Sequence, residues 1–181
     1  MGAGVATCVA GILGGRVKRL ILVEGLGPLS QPAEKVTELM RDSIQQWNSL
    51  KTKKSPIYQN REEAVRARHF AGKLKKSSVE TLVARGLGEN NDGLFWKSDP
   101  RLRSKSRLYL SEAQILQMIQ DITAHVLVLE AEDTDTRRWV DLLRSRLGYV
   151  KNLDHRILPG GHHLHLDEPQ SVASAIKDFL K

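Results

Sequence analysis

Two short runs of branched apolar residues constrain this chain more than any other feature of its sequence. They are LILV at 20–23 and VLVL at 126–129, and the acidic segment EAED follows the second run. Neither run alternates apolar with polar residues, as a strand with one face in water would, and this predicts strands that are buried on both faces. A shorter run, HRIL at 155–158, predicts a third strand. These patterns indicate an α/β fold built on a parallel sheet.

The residues between the first two runs have a different character. Apolar residues recur there at helical spacing, and the turn residues GENNDG at 88–93 interrupt the pattern. We therefore expect a core of residues 1–27 and 124–181 that carries a helical lid insertion of residues 28–123. The predicted helices are 3–14, 32–50, 60–74, 77–87, 111–122, 134–148 and 170–181.

The net charge of +7 is concentrated in this insertion. Residues 51–107 contain 15 Lys and Arg but only 6 Asp and Glu. A basic surface can bind nucleic acid or anionic lipid. This segment, however, has no nucleic-acid motif and few aromatic residues on which bases could stack. We therefore expect a solvated helical surface and no specific nucleic-acid partner.

The sequence has neither a membrane span nor a targeting signal. No apolar run approaches the roughly 18 residues that a transmembrane helix needs. The apolar N-terminal stretch has no basic residues ahead of it, unlike a signal peptide, and the C-terminal DFLK is not a peroxisomal tripeptide. The single cysteine, Cys8, excludes an internal disulfide and fits a reducing compartment. We expect a cytoplasmic protein, with no signal for a peroxisome or a vesicle.

The densest group of chemically active side chains is the segment PGGHHLHLDEP at 159–169. It contains His162, His163 and His165 after a pair of glycines. Three histidines so close together could suggest a metal site, but no cysteine and no HExxH spacing accompany them. We therefore expect no metal and no cofactor.

In its order of strands, insertion and histidine segment, the chain resembles the C-terminal part of the α/β-hydrolases, and more narrowly the serine hydrolase-like proteins. The resemblance covers essentially the whole chain. It implies a partial α/β-hydrolase fold, with the last three parallel strands, flanking helices and a helical lid. The residues that carry it are RLILVEGLGPLSQPAEKV at 19–36, Trp96 with DPRLR at 99–103, and GGHHLHLDEP and SVASAIKDFL within 160–180.

The first residues, MGAG, also fit this family. Its nucleophile elbow reads G-x-S-x-G, commonly G-H-S-M-G-A-G, and joins a strand to a helix. The match implies that Met1 would follow the nucleophile serine. The main-chain nitrogen of Met1 would then serve the oxyanion hole, although it is compromised here as a charged chain terminus. No serine within the chain stands in an elbow context. We therefore expect a truncated form that does not hydrolyse esters by itself.

The resemblance assigns the triad histidine, the general base, to His162. This residue follows Gly161 and has the family's spacing to Asp167 and Pro169. A base on such a loop shuttles a proton between the nucleophile and the leaving group.

The acid of the triad has more than one candidate. Glu24 directly follows the first apolar run, a position that some family members use, and we favour it. Asp133 and then Asp135 follow the second run, where the usual pattern is G-x-x-D. This chain departs from that pattern, because Ala131 replaces the glycine and Thr134 replaces the aspartate. A carboxylate at any of these places could orient an imidazole.

By the same resemblance, full-length members act on small ester-like substrates through a Ser–His–acid triad. Phe95, Trp96 and Tyr109 are candidates to line the substrate pocket. An alternative is a non-catalytic remnant that binds a protein partner through its lid or through the exposed edge of its sheet. The strand at 20–23 would lack a neighbour that family members supply, and an apolar strand edge is prone to pair with another chain.

Overall fold

A computed structural model describes residues 1–50, 55–72, 74–134 and 137–181. The strands are β1 (Arg19–Val23), β2 (Leu87–Asn90), β3 (Gly93–Trp96), β4 (His125–Ala131) and β5 (Leu153–Leu158). The helices are α1 (Gly2–Leu13), α2 (Val36–Leu50), α3 (Arg61–Phe70), α4 (Lys76–Gly86), α5 (Glu112–Gln120), α6 (Arg137–Leu147), α7 (Leu164–Asp167) and α8 (Pro169–Leu180). Within the described ranges, no helix has the length and apolarity needed to cross a membrane.

The described residues form two compact units. The first consists of Met1–Ala33 and Tyr109–Lys181, and the second of Glu34–Leu108. The second unit is shorter than the expected insertion, 28–123, because α5 belongs to the first unit. The physical reason is that α5 contributes Ile115 and Ile119, both fully buried, to the core around the sheet.

The first unit is built on a sheet of three parallel strands in the order β1-β4-β5. Val23 of β1 lies opposite Leu129 of β4, and Ala131 at the end of β4 lies opposite Leu158 of β5. The predicted three-stranded parallel sheet is therefore confirmed. Because all three strands run the same way, their carboxyl ends meet at one edge.

The central strand explains why its sequence does not alternate. Val126 and Val128 join one buried cluster with residues of α1, α5 and α6. Leu127 and Leu129 join a second cluster with residues of α7 and α8. All four side chains are 0% exposed, and each contributes about 1.5–3 kcal/mol on burial. Helices cover both faces of the sheet, as the apolar run predicts.

Small residues let α1 pack closely in the first unit. A Cβ atom added to Gly11 would lie 2.5 Å from the main-chain oxygen of Met118 on α5. Ala10 is 1% exposed and belongs to the same core cluster as Ile115. The glycine is therefore required by the approach of the two helices rather than by a turn.

The second unit contains α2, α3, α4 and an antiparallel hairpin of β2 and β3. Its buried apolar residues are Ala64, Leu74, Val79 and Val83. The sequence predicts a helix to 87 and a turn over 88–93, whereas α4 ends at Gly86 and β2 begins at once. A Cβ atom on Gly86 would lie 2.5 Å from the ring of Trp96, so the glycine admits the ring that closes the hairpin.

Candidate functional site

Glu24 lies at the carboxyl edge of the parallel sheet, directly after β1. Its side chain is only 4% exposed. Oε1 accepts a hydrogen bond from the main-chain nitrogen of Ala131 at 2.6 Å, and Oε2 accepts one from Thr134 Oγ1 at 2.7 Å. These donors compensate the carboxylate for the loss of water, which would otherwise make a buried charge costly.

The Glu24 carboxylate accepts a hydrogen bond that a main-chain oxygen would accept in an ordinary parallel ladder. The Glu24 nitrogen donates to Leu129 O at 2.8 Å, which continues the pairing of β1 with β4. The next bond of a parallel ladder would join Ala131 N to Glu24 O. Instead, Ala131 N donates to the side-chain oxygen Oε1. The side chain of Glu24 therefore accepts the last hydrogen bond of the ladder, in place of the main-chain oxygen.

A left-handed backbone makes this exchange feasible. Glu24 has φ 55°, the only positive φ among the described non-glycine residues. This conformation is uncommon for a residue with a side chain and marks a strained position. The Glu24 carbonyl, turned out of the ladder, accepts a hydrogen bond from Trp139 Nε1 of α6 at 2.8 Å. All the polar atoms of Glu24 are thus held by β4, the loop after it and α6.

His162 is brought to the same edge by the turn that follows β5. Gly160 has φ 116°, a value that side chains strongly disfavour. Its carbonyl accepts a hydrogen bond from Asp133 N at 3.0 Å, which ties the loop after β4 to the loop after β5. The backbone then turns into the short helix α7, where the sequence predicts only a loop.

The two side chains meet directly. His162 Nδ1 lies 3.0 Å from Glu24 Oε2, and with the carboxylate ionised the Nδ1–H group donates. His162 is 53% exposed, in contrast to the buried glutamate. Within the described part of the chain, Nε2 has no hydrogen-bond partner. The arrangement is a histidine oriented by a buried acid, with its second nitrogen open to accept a proton.

Aromatic rings surround this imidazole. The ring centroids of Trp139 and His162 are 6.4 Å apart and the rings meet edge to face. His163 lies next to His162, with ring centroids 5.1 Å apart, and His165 is 6.1 Å from His163. Among the described residues, no group of three His, Cys, Asp or Glu side chains could hold a metal ion.

Among the described candidate acids, Asp133 makes no such contact with His162. Asp133 is exposed, and it contributes its main-chain nitrogen to the loop contact with Gly160. Asp135 lies outside the described residues. Thr134, which stands where the family pattern has an aspartate, donates to the carboxylate of Glu24 instead.

Met1 lies at the start of α1, close to the loop that follows Glu24. Met1 itself is 85% exposed. A Cβ atom on Gly25 would lie 3.1 Å from Ala3 Cβ, and Gly27 N donates to Thr7 Oγ1 at 3.0 Å. The first turns of α1 therefore pack on the segment that leads away from the buried acid.

The three predicted pocket residues fall in different units. Phe95 and Trp96 lie on β3 of the second unit, where both are partly buried, and Trp96 packs on Gly86. Tyr109 is the first residue of the second segment of the first unit.

Sequence reasoning missed two residues of this site, Thr134 and Trp139. The signal for Thr134 was present, because the threonine replaces the aspartate of the family pattern, but only the structure reveals its hydroxyl bonding to Glu24. Trp139 gives no signal in the sequence, because its role depends on the carbonyl that the left-handed Glu24 turns outwards.

Comparisons with known proteins identify relatives along the whole chain, although no protein-family model matches it. A serine hydrolase-like protein of Dictyostelium discoideum is 26% identical over 194 residues, which cover 99% of this chain and 53% of that protein. A serine hydrolase-like protein of Danio rerio is 26% identical over 199 residues, which cover 100% of this chain and 58% of that protein. This chain is similar in sequence to serine hydrolase-like proteins. It spans about half the length of these two relatives.

Solved structures identify the fold of this chain. A hypothetical protein from Pseudomonas aeruginosa PAO1 matches with a TM-score of 0.86 and 32% identity, over 98% of this chain and 64% of that one. The thioesterase domain from the curacin biosynthetic pathway matches with a TM-score of 0.76 and 23% identity, over 97% and 63%. The parallel sheet and its flanking helices are a partial α/β-hydrolase fold.

Proposed function

We propose that this chain supplies the general base, His162, and the acid, Glu24, of a serine-type hydrolase that cleaves small ester-like substrates. The observation that carries the proposal is the 3.0 Å contact between His162 Nδ1 and a glutamate that is almost completely buried. A buried carboxylate at Nδ1 fixes the imidazole tautomer that leaves Nε2 free to take a proton. The homology to serine hydrolase-like proteins supports the same chemistry.

Each proton transfer of the proposed reaction has a defined donor and acceptor. A serine hydroxyl attacks the ester carbonyl while His162 Nε2 takes the hydroxyl proton, and the imidazolium passes that proton to the departing alcohol. Water then attacks the acyl-serine and loses its proton to Nε2, and the imidazolium returns that proton to the serine oxygen as the carboxylic acid leaves. Glu24 stays ionised throughout and stabilises the imidazolium that forms in each half.

The nucleophile is proposed to come from sequence that precedes the 181 residues. The start MGAG matches the second half of an elbow, and the first turn of α1 packs on Gly25, next to the proposed acid. A serine directly before Met1 would therefore be near the sheet edge that carries the dyad. The 181-residue chain by itself is expected to show no ester turnover.

The test begins with the coding sequence upstream of Met1. An open frame that ends in G-H-S, behind a strand pattern, is expected. The extended protein should then hydrolyse p-nitrophenyl esters, and His162→Ala should lower kcat by about 10³-fold or more. Glu24→Gln should lower it by a similar order, because a neutral side chain no longer favours the required tautomer.

Asp133→Asn is the matched control, because it removes the competing acid from the same sheet edge and should leave kcat within about threefold. The proposal fails if the upstream frame is closed. It also fails if Asp133→Asn inactivates the extended protein while Glu24→Gln does not, or if the 181-residue chain has turnover that His162→Ala abolishes.

A second candidate function, binding through the sheet edge, is favoured by the open side of β1. Within the described residues β1 pairs with β4 alone, so its other edge offers main-chain donors and acceptors. A partner could add a strand there. Under this candidate the purified 181-residue chain should associate with a strand-forming peptide, and a proline at Ile21 should abolish that association because proline lacks an N–H group.

A further inference from the structure

The turn between α3 and α4, in the second unit, has an unusual surface. Phe70, the last residue of α3, is 96% exposed, the largest exposed fraction among the described large hydrophobic residues. Its neighbours along the chain, His69 and Ala71, are exposed as well. A single exposed apolar residue needs no explanation in general, but a phenylalanine with nearly all of its ring in water gains nothing from the fold.

The sequence around Phe70 carries strong positive charge. Residues 66–76 read RARHFAGKLKK, with five Lys and Arg and no Asp or Glu. Arg66 and Lys76 are exposed on either side of the turn. Lys76 Nζ lies 3.8 Å from Glu80, and this ion pair is weak because both side chains are more than half exposed.

The rest of the helix pair holds this turn in place. Leu74, within the turn, is 2% exposed and Val79 of α4 is 0% exposed, so both are anchored in the core of the second unit. Asn60 caps the start of α3 by accepting a hydrogen bond from Glu63 N. The exposed ring is therefore presented by packed helices.

We propose that the α3–α4 turn docks reversibly on the surface of an anionic membrane, with Phe70 inserted at the level of the headgroups and Arg66 and Lys76 beside it. Four to eight basic residues on such an element attract acidic lipid headgroups, and an aromatic ring next to them gains by leaving water at the interface. The charge of the turn is complementary to that surface.

The observations favour a membrane over a nucleic acid. Binding of single-stranded nucleic acid needs a groove along the backbone and several aromatic platforms for successive bases. The turn offers one phenylalanine that projects into solvent. A lipid surface needs no groove and accepts one projecting ring. Attachment through one ring and one basic patch is expected to be weak and salt-dependent.

The test is co-sedimentation of the 181-residue chain with vesicles. We expect binding to phosphatidylserine–phosphatidylcholine vesicles, little binding to phosphatidylcholine alone, and release by salt. Phe70→Ala should weaken binding about tenfold, and the double variant Arg66→Gln, Lys76→Gln about 25-fold, since each charge near the surface is worth about fivefold.

The matched controls lie in the first unit. Ile157→Ala removes an apolar side chain that is 53% exposed, and the double variant Lys151→Gln, Lys177→Gln removes two exposed charges. Both controls should bind vesicles like the original chain. In the variant Phe70→Trp, brominated lipid should quench the added tryptophan, which reports insertion rather than charge attraction alone.

Three results would overturn the proposal. They are equal binding of Phe70→Ala and the original chain, no added quenching in Phe70→Trp, and displacement from vesicles by single-stranded RNA whose own affinity depends on Phe70. None of these measurements requires ester turnover, so failure here leaves the proposed hydrolase chemistry unaffected, and failure of that chemistry leaves this test intact.

Discussion

At the scale of single residues, a buried guanidinium fixes the loop that leads away from the candidate acid. Arg146 of α6 is 1% exposed. Its Nε and Nη2 donate to the two carboxylate oxygens of Glu112 at 2.8 and 2.7 Å, and its Nη1 donates to Leu26 O and Pro28 O at 2.7 and 2.8 Å. The burial of this cation is tolerated because its Nε, Nη1 and Nη2 atoms each donate to an oxygen acceptor.

Arg146→Met tests this role. The substitution keeps the aliphatic volume but leaves two carbonyls without a donor and Glu112 without its cation, so we expect a loss of about 3 kcal/mol or more in the free energy of unfolding. Urea denaturation measures it. Arg85→Met, on the exposed side of α4, should change stability by less than about 0.5 kcal/mol, and an equal loss in both variants would contradict the argument.

Thr134→Val tests the support of the candidate acid. The variant keeps the shape of the side chain and removes the hydroxyl that donates to Glu24 Oε2. A hydrogen bond to a charged group contributes about 1.5–3 kcal/mol, so unfolding in urea should require that much less free energy. Thr81→Val is the control, because the Thr81 hydroxyl donates to Ser77 O on an exposed surface. A stability loss no larger than that of the control would refute the assigned role.

At this scale, the sequence predicted the two residues Glu24 and His162 but not the contact between them. Glu24 could be proposed because it directly follows a strand pattern, and His162 because the family resemblance places the triad histidine in the segment after the last strand. Strand ends of a parallel sheet share an edge. Their 3.0 Å contact depends on the left-handed φ of Glu24 and on the turn at Gly160, and backbone angles of this kind are not encoded in hydrophobic pattern.

At the scale of elements, α1 has an uncovered apolar stripe. Met1, Val5, Val9 and Ile12 are 85%, 60%, 43% and 72% exposed, and their spacing places them on one side of the helix. The opposite side, with Ala10 and Gly11, packs in the core. Within the described residues the helix is therefore apolar on both sides, which is unusual for a surface helix.

Ile12→Lys should make the 181-residue chain less prone to self-association. The charge breaks the exposed stripe and removes no core contact, so the unfolding free energy should stay within about 0.5 kcal/mol. Sedimentation velocity over a range of concentrations measures the association. Ile119→Lys, at a site that is 0% exposed, should unfold the chain. A large loss of stability in Ile12→Lys would mean that the stripe is covered.

The contact of α5 with α6 should make stability depend on pH. The Arg146 guanidinium holds the pKa of the Glu112 carboxyl below its usual value, and a hydrogen bond from Ser30 acts in the same direction against the opposing effect of burial. The folded state therefore gains stability from this group above about pH 4.5, the ordinary value of the carboxyl. That gain is lost as the pH falls through the lowered pKa of the folded protein.

Comparison with Glu112→Gln isolates this effect from other carboxyl groups. The variant should be less stable than the original chain at pH 7, and the difference should shrink as the solution is acidified below about pH 4.5. Urea denaturation at a series of pH values measures the difference. A gap that stays constant down to pH 3 would show that the ion pair does not titrate with folding.

Elements with a strong hydrophobic period were predictable, and elements set by glycine were not. The strands β1 and β4 were evident as apolar runs. The helix predicted over 111–122 is present as α5, which begins after a complete capping box of Ser111 with Gln114. The turn predicted over 88–93 was wrong in its bounds, because β2 begins at Leu87 and extends to Asn90. Helical spacing continues through Leu87, and the packing of the Trp96 ring on Gly86 leaves no signal in that spacing. The four residues of α7 are too few for any period to appear.

At the scale of the whole molecule, the two units have cores of different size. The first unit encloses two buried apolar clusters, one on each face of its sheet. Among its described residues, the second has four buried apolar side chains, Ala64, Leu74, Val79 and Val83. Because the second unit buries less apolar surface, its local unfolding is expected to require less free energy.

Val79→Ala should expose this difference. Val79 is 0% exposed, and deleting its two methyl groups should cost about 2 kcal/mol. Hydrogen exchange should accelerate at the amides of α3 and α4 while those of β4 stay protected. Val128→Ala, at a site that is also 0% exposed, should instead accelerate exchange in β4. Equal acceleration throughout the chain in both variants would show that the units open together.

The hydrogen bond from Ala131 N to the Glu24 side chain also depends on the register in which β1 pairs with β4 during folding. Ala131 N finds the carboxylate only when Val23 is aligned with Leu129. A molecule whose first strand has slipped by one position points the glutamate to the opposite face and carries no dyad. The amide proton of Ala131 is thus a folding sensor, because its NMR signal distinguishes correctly aligned molecules from compact misfolded ones before any substrate is added.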